Sequence, residues 1–355
     1  MSYSLRSDEA DISSMSIDQH FSDEDWNRYP FASPEDLAWF RDARYGLFIH
    51  HGICALGKVD IGWSRHTHKM PDGGVGPIPD EVYDGWSRQF AMENFDAREW
   101  ARAAADGGMK YVVIITKHHD GFHLWDTRTS EHKITRSPFG RDYLKELVGA
   151  FRNEGLKIGF YFSQRDFFHP DYEPVDPATV HRIDKPPYFA MNPGQTFSVT
   201  DRHKKYIRYM HEAVKELMTN YGTVDLLFWD AGYHNGMFIS EMWDSEAIER
   251  EVRRLQPRIL INNRASLPGD YDTPELTIGA YRTRRPWETC MPLTSTWAWS
   301  DTPVKPFAEV LGYLIQCVCG DGNFLLSIGA MADGRFAPNE TERIKEIGAW
   351  LKQYG

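Results

Sequence analysis

The sequence predicts one large α/β domain with the fold of a (β/α)8 barrel, as in TIM barrels. Three observations support this prediction. Short, continuously apolar runs alternate with amphipathic helical patterns along most of the chain, which is typical of repeated βα units. The chain has 355 residues, a length that a single domain reaches mainly in large architectures such as α/β barrels. Polar residues also follow most of the apolar runs, as expected at a barrel mouth.

A doubly wound open sheet is the alternative architecture. It would be expected to carry a GxGxxG turn after its first strand, and the chain has GICALGKVD at that place. We therefore favour the barrel and place it at residues 34–355. Residues 1–33 lack periodicity and are rich in Ser and Asp, so we expect them to form a peripheral N-terminal arm.

The predicted strands are apolar runs rich in β-branched and aromatic residues, as in parallel sheets that are buried on both faces. Six runs are clear, and two weaker ones bring the number to the eight that a barrel needs. The clear runs are 45–50, 111–117, 157–163, 224–230, 258–264 and 323–328, and the weaker ones are 276–281 and 293–297.

The predicted helices are stretches with an apolar stripe at helical spacing. Asp96 opens one of them as an N-cap, and the pair Gly107-Gly108 closes it. The other stripes lie within residues 143–151, 206–221, 246–255, 307–318 and 344–351.

The composition excludes several classes of function. The formal net charge is −11 and no block of basic residues is present, which argues against nucleic-acid binding. No apolar run reaches the roughly 18 residues of a membrane span. The polar, acidic start MSYSLRSDEADISS does not resemble a signal peptide, so we favour a cytoplasmic location, or a periplasmic or secreted one if a signal has been removed.

Aromatic residues are abundant, with 12 Trp, 17 Tyr and 20 Phe. We expect most of them in the core and a few in a site for a weakly polar ligand such as a sugar. The spacing of the four cysteines is not that of a disulfide-rich domain. A chain of this length can bury a large core, so we expect it to need no disulfide or structural metal to fold.

Carboxylates near the ends of predicted strands are candidates for acid–base or nucleophilic chemistry. Asp230 ends the run VDLLFWD, where it is either a nucleophile or a cap of the following turn. Glycoside hydrolysis needs a second carboxyl group, and Glu275 and Glu288 are the candidates. The apolar neighbours of Glu288 favour a raised pKa and hence a proton donor, although it is alternatively a buried partner of a nearby arginine.

Two adjacent histidine pairs, His50-His51 and His118-His119, end consecutive predicted strands. Neighbouring residues of an extended chain point in opposite directions, so each pair offers one inward ligand at most. The HxH pattern at residues 66–68 has no strand before it. We therefore expect no metal and no cofactor, and we interpret the inward histidines as hydrogen-bonding partners of a substrate. Arg264 is either such a partner, a support for a carboxylate, or half of a structural salt bridge.

Taken together, these motifs resemble the retaining α-L-fucosidases of glycoside hydrolase family 29. The resemblance runs from about residue 39 to residue 351 and keeps the order of the motifs. The most specific motif is KHHDGF at residues 117–122. The other motifs are WFRDARYGLFIHHG, FAMENFDAREW, GFYFS, NYGTVDLLFWD, NNR, GDYDTPE, WETC and GNFLLSIGAMADG.

The resemblance implies an exo-acting enzyme that releases terminal α-L-fucose from glycans by double displacement, with a fucosylated oligosaccharide or glycoconjugate as its partner. Asp230 matches the family's nucleophile. Glu288 matches the acid/base of the broad-specificity branch, and Glu275 is the runner-up because another branch has its acid/base at a different motif. The residues that match sugar-binding positions or flank the nucleophile are His50, His118, His119, Tyr161 and Arg264, with Trp63 and Trp297 as less certain matches.

The sequence departs from the family pattern at several positions. His51 replaces the usual tryptophan, and GWSR at residues 62–65 stands where many members have a glutamate–tryptophan pair. These departures leave the exact sugar open, so α-L-galactosidase activity is the alternative, with a metal-dependent hydrolase or a non-catalytic sugar-binding barrel ranked lower. The chain ends in WLKQYG, so we expect no C-terminal β-sandwich within it; the oligomeric state is left open, a homo-oligomer included.

Overall fold

The computed structural model describes residues 21–66, 76–174, 180–182, 189–191, 193–194, 199–230, 239–278 and 285–355. Within these residues the centre of the fold is a curled sheet of seven parallel strands in the order β7-β6-β3-β2-β1-β9-β8. β4 and β5 form a separate antiparallel hairpin. The strands are β1 (Tyr45–Ile49), β2 (Tyr111–Lys117), β3 (Lys157–Phe162), β4 (Val180–Arg182), β5 (Phe189–Met191), β6 (Leu226–Trp229), β7 (Leu260–Ile261), β8 (Glu288–Pro292) and β9 (Asn323–Ile328).

Helices alternate with the strands of the large sheet and complete the (β/α)8 architecture. Among the described residues, none of the helices is long and apolar enough to cross a membrane. The helices are α1 (Asp23–Arg28), α2 (Pro34–Ala43), α3 (Asp80–Gly85), α4 (Ala97–Asp106), α5 (Tyr143–Asn153), α6 (Asp201–Asn220), α7 (Ser245–Leu255), α8 (Phe307–Cys319) and α9 (Pro338–Tyr354). All six stripes predicted from helical spacing lie on these helices.

The six clear strand predictions are confirmed, with the ends shifted by up to three residues. β1, β2, β6 and β9 are buried along their whole length, which explains why their sequences are mostly apolar. Gly46 is required in β1 because the ring of Tyr111 lies 2.4 Å from the place where a Cβ atom would stand. Tight packing of this kind fills the interior, as in other closed barrels.

An eighth element closes the wall between β7 and β8. Residues 271–275, here named the eighth stave, form one isolated parallel bridge on one side, from Tyr271 to Asn262. On the other side they form two, from Asp272 to Trp287 and from Glu275 to Cys290. Pro274 has no backbone N–H to donate, which prevents a continuous ladder. The weak prediction for a strand at 276–281 is therefore wrong over its described part, 276–278, and residues 279–281 lie outside the described residues.

The strand predicted at 293–297 is also wrong, because the strand in this region is β8, which ends at Pro292. Beyond it the hydroxyl of Thr294 accepts from the backbone N–H of Thr296 and donates to its carbonyl. Local hydrogen bonds of this kind compete with a strand ladder. The correction is important for the chemistry because Glu288 now begins a strand instead of preceding one.

The described part of the predicted N-terminal arm, residues 21–33, includes α1 and packs against the barrel. Tyr29 is buried, and its hydroxyl donates to Glu249 of α7 at 2.7 Å. The backbone N–H of Ala32 donates to Asp270 at 2.7 Å. The arm therefore contacts the barrel next to the foot of the eighth stave.

Candidate active site

The polar residues predicted at the strand ends gather at one end of the barrel, beyond the carboxyl ends of β1, β2, β3, β6 and β7. Asp230 follows directly after β6 and lies at the centre of this cluster. Parallel strands present their carboxyl ends at the same edge of a sheet, and active sites of such barrels are built there. The arrangement agrees with the position expected from the sequence.

Asp230 is buried and hydrogen-bonded on both carboxylate oxygens. Its Oδ1 accepts from Nη1 of Arg264 at 2.9 Å, and its Oδ2 accepts from the hydroxyl of Tyr161 at 2.5 Å. The backbone N–H of Asp230 donates to Oε1 of Gln164 at 3.0 Å. These contacts hold the carboxylate in one orientation.

Arg264 joins the two carboxyl groups of Asp230 and Glu275. The same Nη1 atom lies 2.9 Å from Oδ1 of Asp230 and 2.9 Å from Oε2 of Glu275. These two oxygens are therefore separated by no more than about twice that distance, which includes the roughly 5–5.5 Å typical of retaining glycosidases. Nε and Nη2 of Arg264 donate to the hydroxyl and the carbonyl of Thr273, which fixes the plane of the guanidinium group.

Glu275 has the electrostatic setting of a proton donor. Burial raises the pKa of its carboxyl group, Arg264 lowers it, and the nearby Asp230 carboxylate raises it, with a net upward shift. Its side chain keeps 22% exposure, whereas that of Asp230 keeps 9%. A carboxyl group that holds its proton more tightly than usual and still reaches solvent is suited to general acid and base catalysis.

His50 and His118 lie on the wall of the site and are neutral. Nδ1 of His50 contacts the hydroxyl of Ser327 at 2.7 Å, and burial lowers the pKa of His50 to about 3. His118 stacks on the ring of Tyr161 with 5.3 Å between the ring centroids, and burial holds its pKa well below the usual value. Neutral imidazoles at these positions can exchange hydrogen bonds with uncharged hydroxyl groups.

The hydrogen bonds of Ser163 determine the tautomer of His119. The Ser163 hydroxyl donates its proton to the carbonyl of Arg165 at 3.0 Å, so it accepts from Nδ1 of His119 at 2.6 Å. A neutral His119 therefore carries its proton on Nδ1 and presents Nε2 as an acceptor. This Nε2 lies 3.7 Å from Oδ2 of Asp230.

The two predicted tryptophans flank the cluster. Trp63 is half-buried and lies edge-on to His119 at 4.7 Å between the ring centroids. Trp297 lies 5.1 Å from the ring of His50, and the carboxylate of Asp60 accepts from its backbone N–H. Both rings therefore lie against the histidines of the cluster.

The structure does not bring Glu288 to Asp230. Glu288 is the first residue of β8 and pairs with Asn323, the first residue of β9, so it lies at the opposite end of the strands. It is fully buried, accepts a hydrogen bond from the hydroxyl of Tyr111, and burial raises its pKa to about 8. Glu275 pairs with Cys290, which lies two residues, or about 7 Å, further along β8 toward the mouth.

Several residues that support the cluster were not among the predicted site residues. Gln164 and Ser163 stand directly after β3, and the polar run that ends this strand was a usable signal. Thr273 lies within the motif GDYDTPE, but its contact with Arg264 depends on the path of the eighth stave. No local sequence pattern predicts that path.

One trio of metal-ligand side chains comes close enough together to hold an ion within the described ranges. The ligand atoms of His118, His119 and Asp230 lie within 4.8 Å of one another, so the prediction that a histidine pair offers one inward ligand at most is wrong for His118 and His119. Asp230 is already paired with the Arg264 guanidinium, and a metal ion on the same carboxylate would lie beside that positive charge. The contacts favour a hydrogen-bonded carboxylate over a metal ligand at this position.

Comparisons with known proteins find α-L-fucosidases among the relatives of this chain. Curated relatives include the α-L-fucosidase of Dictyostelium discoideum, 25% identical over 88% of this chain and 69% of the relative. The plasma α-L-fucosidase of Homo sapiens is 26% identical over 90% of this chain and 68% of the relative.

Solved structures of similar proteins share the fold. α-L-Fucosidase isoenzyme 1 from Paenibacillus thiaminolyticus superposes with a TM-score of 0.76 and 33% identity, over 90% of this chain and 76% of that chain. A glycoside hydrolase family 29 α-L-fucosidase from Bacteroides thetaiotaomicron was trapped as a covalent intermediate with 2-fluoro-fucosyl fluoride. It superposes with a TM-score of 0.74 and 26% identity, over 92% of this chain and 77% of that chain. The family model described as alpha-L-fucosidase matches residues 16–355, and the chain therefore belongs to the α-L-fucosidase family.

Proposed function

We propose that the protein is an exo-acting, retaining α-L-fucosidase with Asp230 as nucleophile and Glu275 as acid/base. The observation that carries the proposal is that a single nitrogen of Arg264 contacts both carboxylates at 2.9 Å. The shared nitrogen keeps these two oxygens closer together than the roughly 6.5–9.5 Å of an inverting pair, which supports a retaining mechanism. The substrate is a fucosylated oligosaccharide or glycoconjugate with its terminal fucose in the site.

In the first step a carboxylate oxygen of Asp230 attacks the anomeric carbon of the fucose. The bond from that carbon to the glycosidic oxygen breaks, and Glu275 gives its proton to the departing oxygen. Arg264 and Tyr161 hold Asp230 in the orientation for attack. The product of the step is an ester between Asp230 and the sugar, together with the released aglycone.

In the second step Glu275, now ionised, removes a proton from a water molecule. The water oxygen attacks the anomeric carbon, the ester bond breaks, and Asp230 leaves as a carboxylate. The contact between Glu275 and Arg264 stabilises the ionised form that this step requires. Fucose leaves with the anomeric configuration of the substrate.

Recognition of the sugar divides into polar and apolar contacts. The acceptor Nε2 of His119, together with His50 and His118, suits the hydroxyl groups, while Trp63 and Trp297 suit the C5 methyl group and the apolar ring face. L-Galactose differs from L-fucose by a hydroxyl at C6. An apolar pocket discriminates weakly against one added hydroxyl, so α-L-galactosidase activity is a second candidate function.

A matched pair of variants tests the acid/base assignment. Glu275→Ala is expected to lose hydrolysis of unactivated fucosides and to regain activity with azide on an activated aryl fucoside, because azide needs no general base. Glu288→Ala is expected to show no azide rescue. Azide rescue of Glu288→Ala in place of Glu275→Ala would reverse the assignment. The anomeric configuration of the first product, read by NMR, tests whether the reaction proceeds with retention.

A further inference from the structure

The part of the described barrel wall that holds Glu275 is joined to its neighbours by short, interrupted ladders. β7 has two residues, and the eighth stave has one isolated bridge toward β7 and two on the side of β8. Arg264 follows β7 and Glu275 ends the eighth stave, so both depend on this section of the wall. Side-chain contacts at the foot of the eighth stave add to these short ladders.

The first such contact lies at the foot of the eighth stave. The side chain of Asp270 accepts from the guanidinium of Arg253 on α7 at 3.0 Å and from the backbone N–H of Ile261 at 2.8 Å. It also accepts from the backbone N–H of Ala32 in the arm. The Asp270 side chain has 0% exposure, so these charge-assisted bonds are shielded from water.

The second contact lies two residues further along. Asp272 accepts from Nη2 of Arg285 at 2.9 Å, and the same guanidinium donates to the carbonyls of Pro268 and Gly269. The backbone of Asp272 is bonded to β8 as well, since its carbonyl accepts from the N–H of Glu288 at 2.9 Å, and its own N–H donates to the carbonyl of Pro286 at 3.0 Å. The eighth stave is thus held at Asp270 and Asp272 by one arginine each.

Aromatic rings of the N-terminal arm cover both arginines. The guanidinium of Arg253 lies 5.4 Å from the ring of Tyr29, and that of Arg285 lies 4.6 Å from Trp26 and 5.8 Å from Phe31. The Tyr29 hydroxyl also accepts from Arg253 at 3.1 Å. Cation–π contacts and the exclusion of water strengthen both ion pairs.

We propose that this clasp, formed by Trp26, Tyr29 and Phe31 over Arg253 and Arg285, positions the acid/base Glu275 by fixing the eighth stave. The inference rests on the proposed function. Asp272 and Glu275 are three residues, or about 10 Å, apart along an extended segment, so a shift at the foot moves the carboxyl group at the mouth. A displacement of about 1 Å at a reacting group costs on the order of 100-fold in rate.

Two variants loosen the clasp without touching the site. Tyr29→Phe removes the hydroxyl that joins Arg253 and Glu249, and the double variant Trp26→Ala/Phe31→Ala uncovers Arg285. Arg28→Ala is the matched control, because Arg28 belongs to the same arm but pairs only with Glu24 and Glu246 at the surface among its described ion pairs. Thermal unfolding of each variant sets an assay temperature at which all remain folded.

The readout is kcat/KM on two fucosides that differ only in the leaving group. An activated aryl fucoside needs no proton from Glu275 to depart, whereas an alkyl or sugar fucoside does. The clasp variants are expected to lose about tenfold or more on the unactivated substrate and less than about threefold on the activated one. Arg28→Ala is expected to change neither rate.

Equal losses on the two substrates, or no loss in the folded clasp variants, would overturn the proposal and leave the clasp a purely stabilising contact. Glu275→Ala on the same two substrates separates this failure from that of the proposed function. If Glu275→Ala itself shows no preference for the activated fucoside, the acid/base assignment fails. If it shows the preference and the clasp variants do not, only the clasp inference fails.

Discussion

Replacing Glu288 by glutamine is expected to change the pH dependence of stability and to spare fucoside hydrolysis. Glu288 is buried at the amino end of β8, and this burial raises its pKa from 4.5 to about 8. Between these values the folded chain keeps a proton that the unfolded chain has released, so the free energy of unfolding falls as the pH rises. A shift of this size corresponds to about 3–5 kcal/mol lost across the interval.

Glutamine has the same shape, still accepts from the Tyr111 hydroxyl and does not titrate. The unfolding free energy of Glu288→Gln should therefore fall less with pH, and its gain over the parent should be greatest near pH 8. Urea unfolding at several pH values between about 5 and 8 measures the difference. Glu340→Gln is a matched control for activity, because Glu340 is buried on α9 and burial raises its pKa to about 8 as well.

Two results would refute this reasoning. Parallel stability profiles for the parent and Glu288→Gln would show that burial does not hold the proton on this carboxyl group. A folded Glu288→Gln variant that loses about 100-fold in hydrolysis of an unactivated fucoside, with Glu340→Gln unchanged, would return the acid/base role to Glu288.

Further predictions concern the site itself. Asp230→Asn is expected to abolish turnover by removing the nucleophile, while circular dichroism stays unchanged. Arg264→Lys is expected to lower kcat/KM by about 100-fold, because an ammonium group cannot contact Thr273 and both carboxylates together. Ser163→Ala removes the hydroxyl that keeps the proton of His119 on Nδ1, and it is expected to cost about 1–2 kcal/mol of transition-state stabilisation. This loss is measured as a lower kcat/KM. Treatment with a chelator is expected to leave activity unchanged; loss of activity with a released metal would instead support a metal-dependent hydrolase.

Much of the fold could be predicted because the information is local. Runs such as those of β2 and β9 are mostly apolar, since both strands are buried along their whole length. The places of Asp230, Tyr161 and Arg264 at strand ends followed directly from those runs. Once the strands are parallel, their ends meet at one mouth, so these residues could be expected to lie together.

The acid/base could not be chosen in this way. Glu288 stands in the more apolar segment, and burial does raise its pKa, so local reasoning about its protonation was sound. The distance of Glu288 from Asp230 depends on where β8 begins. The prediction from the sequence placed this strand at 293–297 instead of Glu288–Pro292, so it could not show at which end of the strand Glu288 lies. Glu275 depends on the eighth stave, which Pro274 keeps from forming a regular strand and which carries no clear periodicity.

The sequence by itself determined the barrel architecture, the position of Asp230 and the family, because hydrophobic patterning and strand-end motifs are properties of short segments. The tertiary structure decided which glutamate faces Asp230, which tautomer His119 adopts and what the N-terminal arm covers. These features depend on pairings such as Ala32 with Asp270 and Tyr29 with Glu249, which are far apart along the chain. Contacts of this kind follow from packing and register, and no local pattern of residue types encodes them.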